Sequence, residues 1–174
     1  MYTLAPDEKA TLVMAYTQNK LARAEVITRE SVRVSTWLRT QGVPEYLHMI
    51  NVQLLLFGSG SVKNSTFPEM YLPVSQLLAF HIVPPTAEPL DYADDEPNRV
   101  MAPVSALIGT FEFKGKLRIS SKAGIARAIE SSLSAWLSVY EVEIRNPYLP
   151  QLQLPPVPLI LINPKQACLG IGQP

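Results

Sequence analysis

The composition of the chain is that of a small folded protein. Its 174 residues fit one domain or two very small ones. Hydrophobic residues make up 47% and charged residues 17%, which provides enough apolar surface for a core and excludes a fully disordered chain. Fifteen basic residues balance fifteen acidic ones, so the protein has no overall attraction to nucleic acid or anionic lipid.

The sequence also argues against several locations and site types. No run of about 18 apolar residues is present, so we expect no membrane span. The first residues lack the basic and apolar regions of a signal peptide. The single cysteine, Cys168, can form neither an internal disulfide nor a cysteine-based metal site. These features favour a cytoplasmic protein, and the sixteen prolines favour short strands joined by loops.

The first part of the chain predicts a hairpin, a helical turn and a long strand. Residues 11–17 and 21–27 form the expected hairpin, with its turn at 18–20. A helical turn or two is expected at 35–40. Apolar residues alternate from 50 to 56, as in a strand with one buried face. A flexible loop is predicted for the glycine- and serine-rich residues 58–68.

The middle of the chain, residues 83–103, is rich in proline and acid. It contains five prolines, five acidic residues and one arginine. Proline removes backbone donors and like charges repel each other, so this segment predicts a solvated linker or a long surface loop.

The last part of the chain repeats the order of the first. Two strands around a turn at 114–116 predict a hairpin, and Ser120 or Ser121 is suited to cap a helix over 125–133. Apolar residues alternate again from 140 to 144, and a proline-rich connection follows at 146–156. Four identical pairs recur at a constant offset of 90 residues: Leu47 and Leu137, Val52 and Val142, Pro68 and Pro158, Gln76 and Gln166.

This order of elements predicts an internal duplication. The expected fold is mainly β, with two tandem small barrel-like units that carry one short helix each and pack as a pseudo-symmetric pair. The first unit would span residues 1–82 and the second 104–174, joined by the acidic, proline-rich linker at 83–103. Whether the two repeats form separate barrels or one joint sheet is left open.

The sequence at 69–85 resembles the closing strand, turn and strand of a small SH3-like or Sm-like barrel. For Sm-like proteins this resemblance implies RNA binding. Such proteins usually have a glycine in the second strand. Gly109 matches that pattern in the second unit, whereas the first unit has Ala22 or Ala24 instead.

Two further resemblances concern the first unit. The sequence at 33–38, followed by a long strand and a closing strand pair, is similar to a tandem-repeat family of green non-sulfur bacteria that is classed as a domain of unknown function. That resemblance implies the tandem organisation and no activity. Arg29 and Arg33 fit the R-x-x-x-R pattern of cyclic-di-GMP-binding PilZ barrels, but the companion D/N-x-S-x-x-G motif is absent. Its nearest match, at 119–124, lacks the leading acid or amide.

Few residues have the pattern of a catalytic or metal site. His48 and His81 lie in predicted strands with no second histidine two or four residues away, so we expect structural roles for both. Cys168 is expected to be a small buried side chain of the last strand. The acidic residues of the linker lack the ligand spacing of a calcium-binding loop. The prediction is therefore a protein with no catalytic residues, no metal and no cofactor.

The best candidates for a binding site are two arginine–serine pairs. Arg33 with Ser35 recurs as Arg118 with Ser120, each pair combining a strand arginine with a predicted helix cap. One interpretation is an ion pair next to an N-cap; the other is two symmetric anion-binding spots, because arginine suits carboxylates and phosphates. Four aromatic residues near strand and helix junctions are expected to pack in the core: Trp37, Tyr46, Trp136 and Tyr140.

These observations lead to a non-catalytic interaction or assembly module. We expect self-association or another protein as partner, supported by exposed leucines at 55, 149 and 152. The alternative is a nucleic-acid or nucleotide binder of the Sm-like or PilZ-like kind that uses the arginines. The sequence does not identify the partner or the process.

Overall fold

The structure, a computed structural model, describes residues 2–40, 42–58, 61–93, 95–130, 136–150 and 154–171. Strands dominate these residues. They are β1 Glu8–Tyr16, β2 Lys20–Arg29, β3 Tyr46–Gly58, β4 Ser61–Pro73, β5 Ala79–Ile82, β6 Arg99–Ile108, β7 Phe111–Ser120, β8 Leu137–Arg145, β9 Val157–Ile162 and β10 Cys168–Gly170. One α-helix, α1 Ile125–Glu130, and two 3₁₀ helices, Val34–Arg39 and Val74–Gln76, complete the described elements.

All ten strands belong to one antiparallel sheet, which confirms the mainly β prediction. Their order is β10-β6-β7-β8-β9-β5-β1-β2-β3-β4. The sheet is open, since β10 and β4 each have a neighbour on one side only. Within the described residues the strands therefore form one joint sheet, and the pairing does not close into separate barrels.

The two halves of the sheet have the same internal order. In the first half the fifth strand lies beside the first, followed by the second, third and fourth, as β5-β1-β2-β3-β4. The second half runs β10-β6-β7-β8-β9 in the same way. The halves meet where β5 pairs with β9.

Each half has one β-bulge, between its second and third strands. The β2–β3 register shifts between Arg23 and Glu25, and the β7–β8 register shifts between Lys114 and Lys116. The bulged strands carry a residue in the left-handed region, Asn51 (φ 53°) or Glu141 (φ 51°), and these two residues lie 90 positions apart. A bulge inserts one residue and bends the strand, so both halves curve at the same place.

Two hydrophobic clusters lie against the curved sheet. The first is built by β1–β5 and the helix Val34–Arg39, with contributions from Trp136 and Leu161. The second is built by β6–β9 and Ile125, with contributions from β1, β2 and β5. Strand β1 serves both, because its successive side chains point to opposite faces: Val13 joins the first cluster and Met14 the second.

Several predicted elements are confirmed at their cores and differ at their ends. The β1–β2 and β6–β7 hairpins are present, as is a helical segment at Val34–Arg39. Residues 61–68 form strand rather than the predicted loop, because they continue the ladder of β4 with β3, where Val62 pairs with Phe57. Residues 99–103, assigned to the linker from sequence, begin β6.

The predicted serine cap of the second helix is wrong. Ser120 is the last residue of β7, and α1 begins five residues later at Ile125. The first α-helical hydrogen bond runs from Ala128 N–H to the carbonyl of Gly124. The predicted C-terminal end of this helix, around Leu133, lies outside the described residues. Among those residues, no helix has the length and apolar character needed to cross a membrane.

Candidate functional site

The predicted pair Arg33 and Ser35 lies at the start of the 3₁₀ helix Val34–Arg39. Ser35 is buried, and its Oγ donates a hydrogen bond to Glu88 Oε2 at 2.6 Å. The backbone N–H groups of Val34 and Ser35 donate to the same carboxylate at 2.9 and 2.8 Å. Arg33 is exposed and precedes the helix without a side-chain capping bond. The anion spot predicted here therefore holds a carboxylate of the protein itself.

The contact of Glu88 follows from the physics of a helix start. The first N–H groups of a helix have no partner within it, so an acceptor from elsewhere must satisfy them. Burial raises the pKa of the Glu88 carboxyl, but the hydrogen bonds from Ser35 and Val34 outweigh this effect and the net pKa lies below the ordinary value. Glu88 is thus held as an anion by the first half of the sheet.

The second predicted pair, Arg118 and Ser120, lies on β7 and faces the same linker. Arg118 donates to Glu96 Oε2 at 2.7 Å and to the carbonyl of Ala93 at 2.8 Å. Its guanidinium lies 4.6 Å from the centre of the Tyr92 ring. Ser120 Oγ accepts a long bond from the Lys122 N–H, at 3.4 Å. Arg118 therefore anchors the linker to the second half.

Asp91 connects the linker to both halves at once. Its carboxylate pairs with Arg39, which ends the 3₁₀ helix of the first half. It also accepts hydrogen bonds from Ser138 Oγ at 2.9 Å and from Tyr140 Oη at 2.7 Å, both on β8. Burial raises the pKa of Asp91, yet the bonds from Tyr140 and Ser138 and the charge of Arg39 bring it below the ordinary value.

Most described residues of the linker are exposed, and hydrogen bonds to its carboxylates hold it against the rest of the protein as a strap. Its carboxylates at Glu88, Asp91 and Glu96 meet polar groups from both halves. The reason is local neutralisation: side chains that would repel one another in water each gain a specific donor. We call the described part of this segment, residues 83–93 and 95–98, the acidic strap below.

A polar cavity of about 340 Å³ lies beneath the acidic strap. Arg39, Arg99 and Arg118 line it, together with Ser120. Arg33 and Ser35 do not line it, so the two predicted pairs do not converge on one site. Each of the three arginines has a carboxylate partner, Asp91 or Glu96. The positive charges that line this cavity are therefore already paired with carboxylates of the same chain.

The two open ends of the sheet expose apolar side chains. On β4 the exposed residues include Phe67 and Tyr71. At the other end, Leu107 on β6 and Ile171, just after β10, are exposed. An edge strand presents unpaired N–H and C=O groups that can pair with another strand, and an exposed apolar patch adds area to bury. These two edges form the candidate interaction surface.

The β4 edge has an ordered aromatic arrangement. Tyr71 lies directly across the strands from His48, and their rings stack at 4.7 Å. Both side chains hydrogen-bond to Glu69 Oε1 at 2.8 Å. The Tyr2 ring also contacts the His48 ring, in a T-shaped arrangement with the ring centroids 4.6 Å apart. These contacts orient the Tyr71 ring while leaving it exposed, as suits an aromatic anchor at an interface.

A second and larger cavity, of about 920 Å³, lies beside the loop that follows β8. Leu107, Phe111 and Ile144 line its apolar part, and Glu112 and Arg145 lie at its polar part. Since Leu107 belongs both to this cavity and to the β10 end of the sheet, the cavity extends the apolar surface of that end.

The structure corrects three burial predictions. Tyr46 is exposed, whereas Trp37, Trp136 and Tyr140 are buried as expected. Cys168 is exposed, because β10 is an edge strand with a neighbour on one side only. Leu149 is buried, because the turn closed by its N–H and the carbonyl of Asn146 folds it inward.

The structure also shows the surroundings of His81 and of two leucines that were predicted to be exposed. His81 is a satisfied interior residue, hydrogen-bonded to Tyr16 and to the Ile82 carbonyl. Leu55 is half-buried, and Leu152 lies outside the described residues. Within the part of the chain that the structure describes, no three His, Cys, Asp or Glu side chains are grouped so that they could hold a metal ion.

The exposed apolar residues at the edges of the sheet were not predicted from the sequence. Tyr71, Leu107 and Ile171 have the apolar character of core residues, and only the order of the strands exposes them. The sequence does contain a signal in Pro68 and Pro73 within β4, since proline in a strand indicates an edge.

The chain was compared with protein-family models, with curated proteins and with solved structures, and no match was found.

Proposed function

We propose that this protein is a non-catalytic assembly module that associates with other copies of itself through the ends of its sheet. The observation that carries the proposal is the exposed apolar surface at both open edges, with Tyr71 at one end and Leu107 at the other. Association would bury these side chains and pair the free backbone groups, and both effects stabilise a complex.

The proposal includes an internal architecture of two tandem units of the small-barrel kind. The identical strand order of β1–β5 and β6–β10 supports it. So do the bulges at matching positions, whose left-handed residues Asn51 and Glu141 lie 90 positions apart. That spacing equals the offset of the four identical residue pairs in the sequence. An SH3-like or Sm-like origin of each unit remains part of this proposal.

The acidic strap has a defined place in the module. Asp91 contacts Arg39 of the first unit and Tyr140 of the second, so the strap fixes the two units relative to each other. A fixed angle between units matters for assembly, because each added copy repeats the same geometry.

Sedimentation velocity across the micromolar range tests the proposal directly. We expect the sedimentation coefficient of the wild-type chain to rise with concentration. Substituting Tyr71→Glu together with Leu107→Glu should return the protein to a concentration-independent monomer, because charges at both edges oppose burial. Val62→Glu, an exposed apolar residue at the far end of β4, is the matched control and should still associate. A wild-type chain that stays monomeric throughout this range contradicts the proposal.

A second candidate, nucleic-acid or nucleotide binding, has one observation in its favour: Arg39, Arg99 and Arg118 line a single cavity. Binding to phosphates would have to displace Asp91 and Glu96 from these arginines. Titration with single-stranded RNA at low and moderate salt separates the candidates. An assembly module gives no salt-dependent RNA binding, whereas a phosphate site gives binding that Arg99→Ala with Arg118→Ala weakens.

A further inference from the structure

The junction between the two halves of the sheet joins two unlike strands. Strand β5, the fifth of the first half, pairs with β9, the fourth of the second half. The register places Ala79 opposite Ile162 and Phe80 opposite Leu161. An additional hydrogen bond runs from the Asn163 N–H to the Leu78 carbonyl at 2.8 Å. A contact between a fifth and a fourth strand is head-to-tail, since each half contributes a different surface.

The two open edges of the sheet are strands of the same two types as those at the junction, a fifth strand and a fourth strand. Strand β10 is the fifth strand of the second half, and β4 is the fourth strand of the first half. In a head-to-tail contact, one surface of each kind is always left free at the ends. The two edges of the sheet are therefore the same two strand types that pair at the junction between its halves.

The β4 edge matches β9 residue by residue. At the offset of 90, Pro68 corresponds to Pro158, and Tyr71 and Leu72 correspond to Leu161 and Ile162. The pairing within each half agrees, because Leu47 pairs with Leu72 as Leu137 pairs with Ile162. Leu161 is 0% exposed at the junction, whereas Tyr71 is 57% exposed. An apolar side chain thus lies uncovered at the position that the junction buries on β9.

The β10 edge matches β5 in the same manner. Cys168 pairs with Leu107 on β6 as Ala79 pairs with Tyr16 on β1. The second half covers Tyr16, which is 0% exposed and packs edge-on against Phe111 at 5.0 Å. Its counterpart Leu107 is 52% exposed. Both ends of the sheet therefore carry apolar surface at the positions that the internal junction buries.

We propose that copies of this chain join head to tail through β4 of one copy and β10 of the next, in a register that pairs Tyr71 with Leu169 and Leu72 with Cys168. This proposal rests on the self-association proposed above and specifies its surfaces and its direction. Pro73 corresponds to Asn163 and has no N–H, so the bond from Asn163 to Leu78 has no equivalent between copies. The contact between copies is therefore weaker than the internal junction and depends on concentration.

Cysteine cross-linking tests both the register and the direction. In a Cys168→Ser background, one variant carries Tyr71→Cys and another carries Leu169→Cys. Directly opposed residues of antiparallel strands lie within the Cα separation that a disulfide can bridge. We expect a covalent dimer when the two variants are mixed under mild oxidation, and none when either variant is oxidised alone.

The controls separate this contact from other modes of association. Val62→Cys mixed with Leu169→Cys should give no dimer, since the proposed register places no residue of the next copy opposite Val62. A dimer from Tyr71→Cys alone would indicate two β4 strands in a symmetric contact and would overturn the proposal. Equal cross-linking of the Val62 control would do the same.

Sedimentation of the reduced variants distinguishes failure of this proposal from failure of the proposed function. If the reduced chains associate but the mixture yields no specific disulfide, the protein self-assembles through another surface and the β4–β10 contact is wrong. If the reduced variants and the wild type are both monomeric, the assembly function itself is wrong.

Discussion

We predict that the free energy of unfolding falls between pH 7 and pH 5 because of one buried histidine. His81 is 2% exposed; its Nε2 lies 3.0 Å from Tyr16 Oη and its Nδ1 lies 2.9 Å from the Ile82 carbonyl. Since a carbonyl oxygen only accepts, Nδ1 carries the proton of the neutral ring and Nε2 accepts from the tyrosine. Burial lowers the pKa of His81 to about 4, because a charged ring would lose its hydration.

The size of the effect follows from linkage. In the unfolded chain His81 has its ordinary pKa of about 6.5, so the unfolded state binds a proton as the pH falls below that value while the folded state does not. Each pH unit between the two pKa values then costs roughly 1.4 kcal/mol of unfolding free energy. Between pH 7 and pH 5 we expect a loss of about 2 kcal/mol from this residue alone, with the loss levelling off below the folded pKa.

Urea unfolding followed by tryptophan fluorescence measures this loss, because Trp37 and Trp136 are both buried in the fold. A variant with Tyr16→Phe and His81→Leu removes both hydrogen-bonding partners together and leaves no orphaned side chain. It should lose little stability between pH 7 and pH 5. Tyr16→Phe alone keeps the histidine and should retain the loss.

The acidic groups do not interfere in this range. Glu88 and Asp91 have lowered pKa values, so their stabilisation is fully present above their ordinary values and is lost only at lower pH. If the double variant loses the same 2 kcal/mol or so as the wild type, burial of His81 does not control stability between pH 7 and pH 5.

Two further substitutions test the bulge and the acidic strap. Gly115→Ala should destabilise the fold by about 2 kcal/mol or more, because its Cβ would lie 2.7 Å from the Tyr140 carbonyl oxygen. Gly42→Ala, where a Cβ meets nothing within 4 Å, should be close to neutral in the same urea unfolding assay. Asp91→Ala should cost about 2 kcal/mol and speed limited proteolysis within residues 83–98, because Tyr140 and Arg39 lose their shared partner. Asp95→Ala, at an exposed position in the same segment, should change neither measurement; equal proteolysis of both variants would mean that Asp91 does not hold the strap.

The sequence already contained the secondary structure of most of the chain. The alternation from Tyr140 to Ile144 predicted a strand with one wet face, and β8 has this pattern of burial. The turn residues between β1 and β2 predicted a hairpin whose register is fixed by its own short connection. Such features depend on residues close in the chain, and local periodicity therefore suffices to predict them.

Only the tertiary structure decided which apolar residues are covered. Tyr71 and Leu161 correspond in sequence position, yet one is exposed and the other buried, because β9 has a neighbour on its second side and β4 has none. The partners of the acidic strap were equally hidden, since Glu88 meets Ser35 across 53 residues of chain. Burial and charge pairing depend on which strands become neighbours, and that order is set by long-range contacts that no local pattern encodes.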